Sequence, residues 1–231
     1  MEPMPSTRTL SSLPGITELR RITQSLATLD AILSEDWESR YYSFNARWDV
    51  ASGDAMASMR NGSGDDWFLL FSKAGAVLKG FAHEKSGMSP CAGNRKFTPV
   101  EQRGLALYPR LLSGFPDELA GALTEASFSM EATTFIVWRL ASAFAWQMGE
   151  IAWPKGDDPD GSEDLLALLD GNPERYASWA SEYFGRDVDA KAVQHVFAHG
   201  PLDEALLSRL GSERTLEDLA DDLAEIGYPA Q

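Results

Sequence analysis

The chain has 231 residues, of which 44% are apolar and 24% are charged, and 35 acidic against 20 basic residues give a formal charge of −15. Seven Trp, six Tyr and eleven Phe can fill a hydrophobic core, which excludes a collagen-like or wholly disordered chain. The negative charge excludes binding to nucleic acid through a positively charged surface.

The cysteine content and the N-terminal segment indicate the cellular compartment. Cys91 is the single cysteine, so an intramolecular disulfide is impossible. Residues 1–15 lack the apolar stretch of a signal peptide, and Pro3, Pro5 and Pro14 oppose a helix, so we expect this segment to be disordered or extended. There is no run of 18 apolar residues. We therefore expect a soluble cytoplasmic protein without a membrane partner.

The first half of the chain predicts one helix and a group of strands. Apolar residues recur every three or four positions across 16–33, as on one face of a helix. From Tyr41 the period changes to two: Tyr42, Phe44, Ala46 and Trp48 alternate with the residues between them, and turn formers separate the segments that follow. This pattern predicts an antiparallel meander of about four strands, at 41–48, 55–60, 67–71 and 76–82, with a tight turn at 61–65.

The middle of the chain is more irregular. Residues 84–104 carry Gly, Pro and basic residues, and they predict a long loop. A short helix is expected at 116–123, which begins with proline. The β-branched and aromatic segment 133–140 predicts another strand, with 144–148 as its hairpin partner.

The sequence from Ser162 onward predicts short helices separated by Gly and Pro. Helix starts are indicated by Asn172-Pro173 and by Thr215, which opens a pattern similar to a capping box. We expect an α+β fold: an antiparallel sheet with a packed N-terminal helix, followed by a C-terminal bundle of short helices. The expected division is an α+β domain at 16–153 and an acidic helical region at 154–231, packed together as one unit.

Acidity is concentrated in the last third of the chain. Residues 151–231 hold 18 acidic and 6 basic residues, a charge of −12, whereas residues 1–150 carry only −3. The acids of the final helix are binding candidates, and we name them the acidic face: Glu217, Asp218, Asp221, Asp222 and Glu225. One interpretation is a solvated helix surface. The other is docking to a basic protein, for example one that handles nucleic acid, because complementary charge speeds encounter.

Catalytic candidates are few. His83, Glu84 and Cys91 lie in or beside the basic loop, where nearby Arg95 and Lys96 would favour a thiolate, but no cysteine-enzyme signature surrounds Cys91. The nucleophile motif Gly-x-Ser-x-Gly does not occur.

Two further patterns resemble metal sites. His195 and His199 are four residues apart, but the metalloprotease pattern would need Glu where Val196 stands. The carboxylates of 157–164 fail the calcium-loop spacing and are better interpreted as a turn that caps a helix. We therefore predict no metal and no cofactor.

Four segments carry a resemblance to known proteins: 62–68 (Gly-Ser-Gly-Asp-Asp-Trp-Phe), 80–84 (Gly-Phe-Ala-His-Glu), 128–134 (Phe-Ser-Met-Glu-Ala-Thr-Thr) and 160–166 (Asp-Gly-Ser-Glu-Asp-Leu-Leu). Together they are similar to a family of bacterial proteins of unassigned function, over about residues 16–228. This resemblance implies no catalytic motif. In size, acidity and expected fold the chain also resembles the immunity-type proteins that neutralise bacterial toxins, a likeness of style that transfers no binding residue.

These observations predict a non-enzymatic interaction module with an acidic surface, including immunity-like inhibition of a basic partner. The alternative is an enzyme of unrecognised class, with its site near His83, Glu84 and the 85–104 loop. The sequence leaves the oligomeric state open.

Overall fold

The computed structural model describes residues 3–88, 110–151 and 156–229. Its strands are β1 (Tyr42–Asp49), β2 (Asp54–Arg60), β3 (Asp66–Phe71), β4 (Gly75–Phe81), β5 (Phe135–Leu140) and β6 (Gln147–Met148). Its α-helices are α1 (Ile16–Leu33), α2 (Ser162–Leu165), α3 (Pro173–Phe184), α4 (Ala190–Phe197), α5 (Glu204–Arg209) and α6 (Ala220–Ile226). Cys91 and most of the 85–104 loop lie outside the described residues.

The six strands form one antiparallel sheet in chain order, β1 to β6. Leu69 of β3 pairs with Ala57 of β2 and Leu78 of β4, so the centre of the sheet is apolar. The turn between β2 and β3 is stabilised by Asn61, whose side-chain oxygen accepts the backbone N–H groups of Ser63 and Asp65. The α+β class and the antiparallel sheet predicted from the sequence are confirmed.

α1 packs across one face of this sheet and forms the centre of the main core. Leu19, Leu26 and Leu29 are fully buried, as the apolar stripe predicts. The second half of α1 is buried on every side, because α4 and α6 cover the part that the sheet leaves open. The C-terminal helices thereby share one apolar core with the sheet, and the two regions pack together.

The opposite face of the sheet is covered by an irregular layer from residues 110–130, which contains a 3₁₀ helix at Asp117–Thr124. Leu111, Leu119 and Phe128 of this layer pack on Val77 and Trp138 of the sheet. The central strands are therefore buried on both sides, and the described residues form three layers. The sequence predicted the short helix of this layer but not that it covers this face of the sheet.

The N-terminal segment differs from the prediction of a disordered or extended 1–15. Within residues 3–15, Leu10–Ser12 form a 3₁₀ turn, and Ser6 and Thr7 are buried. The Thr7 hydroxyl donates to the Asp160 carboxylate at 2.6 Å, and its backbone N–H donates to the Ser162 hydroxyl. These partners lie about 150 residues away in the sequence, so local reasoning could not find them.

The last helix is shorter than predicted. Asp218 accepts hydrogen bonds from both the N–H and the hydroxyl of Thr215, and such side-chain bonds compete with helix formation. Residues 216–219 therefore form a turn, and α6 begins at Ala220. Among the helices of the described residues, none combines the length and apolarity needed to cross a bilayer.

Candidate functional site

The outer side of α6 and the turn before it carry the exposed members of the acidic face. Leu219 and Ile226 are buried where this segment packs on α1 and β1. Asp221 and Glu225 lie one helical turn apart on α6, and Glu217 lies in the preceding turn; all three are exposed. We name these three residues the acidic stripe.

Asp222 belongs to the acidic face in sequence but points inward. Its carboxylate accepts hydrogen bonds from both terminal nitrogens of Arg40, at 2.6 and 2.9 Å, and from Arg214 Nη1 at 2.9 Å. Burial would raise the pKa of Asp222, but these charged hydrogen bonds outweigh it and lower the pKa. Asp222 therefore anchors α6 to the segment before β1, and it is not free for a partner.

The remaining acids of the face keep their charge accessible. Asp218 is exposed, and the hydrogen bonds from Thr215 lower its pKa. Glu225 accepts one bond from the neutral Asn45 side chain, at 3.1 Å. The side chains of Glu217 and Asp221 make no hydrogen bond or ion pair with any other described residue. Four of the five predicted binding residues thus present their carboxylates at the surface.

An apolar groove of about 370 Å³ runs beside this stripe. Its lining consists of Leu202, Leu216, Ala220, Leu223, Ala224, Tyr228 and Pro229. Leu202 and Tyr228 are buried and form the floor, whereas Ala220, Ala224 and Pro229 are exposed. The Tyr228 hydroxyl donates to the carbonyl of Gly200 at 2.8 Å. Tyr228 therefore contributes its apolar ring to the groove lining. The sequence prediction missed this groove, because its walls come from segments that are separate in the chain.

Carboxylates lie beside this groove. Glu217 and Asp221 directly follow the lining residues Leu216 and Ala220 in the chain. Glu204 accepts the backbone N–H of Leu216 at 3.0 Å, and Asp203 caps α5 through the N–H of Leu206. The arrangement combines an apolar centre with an acidic border.

The described residues do not form a catalytic site around His83 and Glu84, the candidates beside the basic loop. His83 and Glu84 are both exposed. The backbone N–H of His83 donates to Asp65 at 2.6 Å, and its ring contacts the edge of Phe81. The four concave regions with described linings do not include His83 or Glu84.

The two histidines at the metal-like spacing, His195 and His199, face different partners. His195 Nε2 lies 2.7 Å from the carbonyl of Pro201, whereas His199 Nε2 lies 3.1 Å from the carbonyl of Arg21. Burial lowers the pKa of His199, which favours a neutral ring. Within the described ranges, no group of three or more His, Cys, Asp or Glu side chains could hold a metal ion.

The carboxylate cluster at 157–164 forms a helix cap. Asp158 accepts the backbone N–H groups of Glu163 and Asp164 at the start of α2. Asp160 is fully buried and accepts hydrogen bonds from Thr7 and Ser162; burial raises the pKa of Asp160 although these bonds oppose it. This agrees with the interpretation of the segment as a capped turn.

A second concave region, of about 450 Å³, lies between the sheet and the 3₁₀ helix at Asp117–Thr124, and the sequence prediction also missed it. Trp48 lines it and donates its indole N–H to Glu125 at 3.1 Å. Further lining residues include Asp49, Asp54, Lys73 and Glu118. Hydrogen bonds from the backbone N–H of Ala51 and from Ser52 lower the pKa of Asp49, so its carboxylate is engaged in a local turn.

Compared with known protein families, with curated proteins and with solved structures, the chain shows no significant match. The fold defines the protein as a member of the α+β class. The resemblance of its four segments to a bacterial family stays a prediction.

Proposed function

We propose that this protein is a non-enzymatic interaction module that binds a basic protein through its acidic C-terminal surface. The observation that supports this proposal most strongly is the stripe of Glu217, Asp221 and Glu225, which is exposed and has no basic partner among the described residues. Inhibition of the bound partner, in the manner of immunity-type proteins, is the biological outcome we propose.

The firm attachment of α6 to the rest of the molecule supports this role. The Arg40–Asp222–Arg214 ion pairs join α6 to the rest of the molecule, and Gln24 of α1 donates to the carbonyls of Ile226 and Gly227. The stripe is therefore held in one orientation before any partner arrives. Pre-organised charge strengthens recognition, because little conformational entropy is lost on binding.

Charge complementarity also suggests the type of partner. An acidic surface attracts basic proteins over about a Debye length and repels acidic ones. Proteins that act on nucleic acid must present a positive surface to the phosphate backbone, so they meet this requirement. We propose a protein of this kind as the partner, and occupation of its positive surface would block its ligand.

The test begins with capture of partners from a lysate of the source organism at low and high salt. A basic protein that is retained at about 50 mM salt and released at about 300 mM salt would then be purified for titration. The variant Glu217→Gln/Asp221→Asn/Glu225→Gln should weaken its binding about tenfold or more. If no basic protein shows salt-sensitive retention, the proposal is wrong.

A matched variant controls for total charge. Asp117→Asn/Glu118→Gln/Glu182→Gln removes the same number of carboxylates from exposed positions outside the acidic face. We expect this control to bind the partner nearly as well as the wild type. Equal weakening by both triple variants would show that only the net charge matters.

A further inference from the structure

We propose that the apolar groove beside the stripe holds the apolar side of a basic amphipathic helix supplied by the partner. This inference rests on the proposed function and specifies the chemistry of the segment that docks. It rests on two independent features: a concave apolar lining and carboxylates next to the lining residues Leu216 and Ala220.

The lining is suited to aliphatic or aromatic side chains. Leu202 and Tyr228 provide a buried floor, and Leu216 and Leu223 are half-buried walls. Apolar side chains placed there would remove both surfaces from water, which is the main driving force for helix-in-groove recognition. At about 370 Å³ the groove has room for a small number of anchoring side chains.

The outer wall of the groove permits a close approach. Ala220 and Ala224 are exposed and one helical turn apart, so these two positions of α6 leave room beside the half-buried Leu223. A helix laid against this wall would place its polar side next to Glu217 and Asp221. Lys or Arg at those polar positions would find a carboxylate within reach.

Basic residues close to the groove are already engaged. Arg214 donates to Asp222 and to the carbonyl of Ala31, and Arg209 pairs with Asp189. Arg21, which lies near Tyr228, donates to the carbonyl of Ala198 and lies 4.0 Å from Glu18. The exposed carboxylates of Glu217 and Asp221 have no such ion pair among the described residues, so the charge beside the groove favours a basic occupant.

This charge argues against a second copy of the chain as occupant. The chain carries a formal charge of −15, and a homodimer through this groove would bring two acidic borders together. Like charges placed opposite each other weaken association. A basic partner removes that repulsion, so we assign the groove to a partner helix.

Three synthetic peptides of about 15 residues test the proposal against the intact chain. The first has Leu at helical spacings of three and four, with Lys on its other side. The second has the same composition with the Leu residues scrambled, and the third replaces each Lys by Gln. Fluorescence anisotropy of the labelled peptides gives their dissociation constants, and sedimentation velocity gives the oligomeric state of the protein.

We expect the first peptide to bind about tenfold or more tightly than either of the others. Ala224→Arg, which both fills the groove and introduces a positive charge, should weaken that binding by a similar factor. Ala120→Arg makes the same exchange at an exposed position on the opposite side of the sheet and should leave binding unchanged. Circular dichroism and urea unfolding establish that each variant is folded, and Ala220→Arg serves as a second groove variant.

The outcomes separate this inference from the proposed function. If the first two peptides bind equally and Ala224→Arg has no effect, the groove inference is wrong, but binding through acidic charge stands. If the Gln peptide binds as well as the Lys peptide, the assignment of a basic occupant is wrong. Dimerisation that Ala224→Arg abolishes would assign the groove to a second copy and overturn the inference.

Discussion

The hydroxyl group of Tyr176 in α3 donates to the Asp30 carboxyl group in α1 at 3.0 Å, and both side chains are fully buried. The second oxygen of Asp30 accepts the backbone N–H groups of Tyr41 and Tyr42, at 2.7 and 2.8 Å. One carboxyl group thereby joins the central helix, the first strand and the C-terminal helices. Its environment makes it sensitive to pH.

Asp30→Asn should change how the stability of the protein depends on pH. Burial raises the pKa of Asp30 to about 7, although its hydrogen bonds oppose the shift. Because the folded pKa exceeds the unfolded one, the contribution of Asp30 is complete at low pH and is lost as the pH rises through about 7. From pH 5 to pH 8 the wild type should lose roughly 2 kcal/mol relative to Asp30→Asn. Urea unfolding at both pH values measures this; a constant difference would contradict the assignment.

The acidic face should separate into structural and exposed carboxylates. Asp222→Asn leaves Arg40 and Arg214 without their shared partner, and we expect a loss of about 1–3 kcal/mol of unfolding free energy. Glu217→Gln and Asp221→Asn remove exposed carboxylates and should change stability by less than about 0.5 kcal/mol. Thermal and urea unfolding at neutral pH compare the three variants. Equal losses would mean that Glu217 and Asp221 also support the fold.

A buried ion pair lies on the second face of the sheet. Lys79 of β4 is fully buried, donates to Asp66 at 2.8 Å and lies between the rings of Phe68 and Phe81. Burial lowers the pKa of Lys79 and raises that of Asp66, so desolvation outweighs the attraction within the pair. Each charge therefore mainly offsets the free-energy cost of burying the other, and the pair adds little net stability to the fold.

A double-mutant cycle on Lys79 and Asp66 tests this reading. Asp66→Asn strands a fully buried ammonium group and should cost more than Lys79→Met, which leaves a carboxylate with some exposure to solvent. The double variant should return to within about 1 kcal/mol of the wild type. Additive losses would show that the two side chains do not compensate each other.

Thr7→Val should weaken the attachment of the N-terminal segment. The substitution keeps the shape of the side chain but removes a 2.6 Å hydrogen bond to the buried Asp160 carboxylate. We expect a loss of about 1–3 kcal/mol and faster proteolysis within the first 15 residues. Thr124→Val, at an exposed position, is the control and should be nearly neutral. Unchanged stability and protection in Thr7→Val would contradict the ordered N-terminus.

Local sequence patterns predicted those elements whose physics is local. The apolar stripe of α1 and the alternation in β1 reflect burial on one side of each element, and both elements were predicted to within a residue or two. The start of α3 was recognisable because Asn172 caps it and Pro173 occupies its first position. These signals lie within a few residues of the feature they specify.

Features that depend on distant partners could not be predicted. A lysine such as Lys79 is expected at the surface, but the 110–130 layer covers its side of the sheet and buries it. Asp222 reads as one more exposed acid of the final helix, but Arg40, 182 residues earlier, holds it inward. The groove likewise joins Leu202 to the end of the chain, so only the fold brings its walls together.

The association rate between this protein and its purified basic partner tests the central claim most directly. Electrostatic steering predicts that the wild-type rate constant falls by about tenfold or more when salt is raised from about 50 to about 300 mM. It also predicts that Glu217→Gln/Asp221→Asn/Glu225→Gln lowers both the rate constant and its salt dependence, whereas the control triple variant does neither. An association rate that is the same for all three proteins at both salt concentrations would contradict an acidic docking surface.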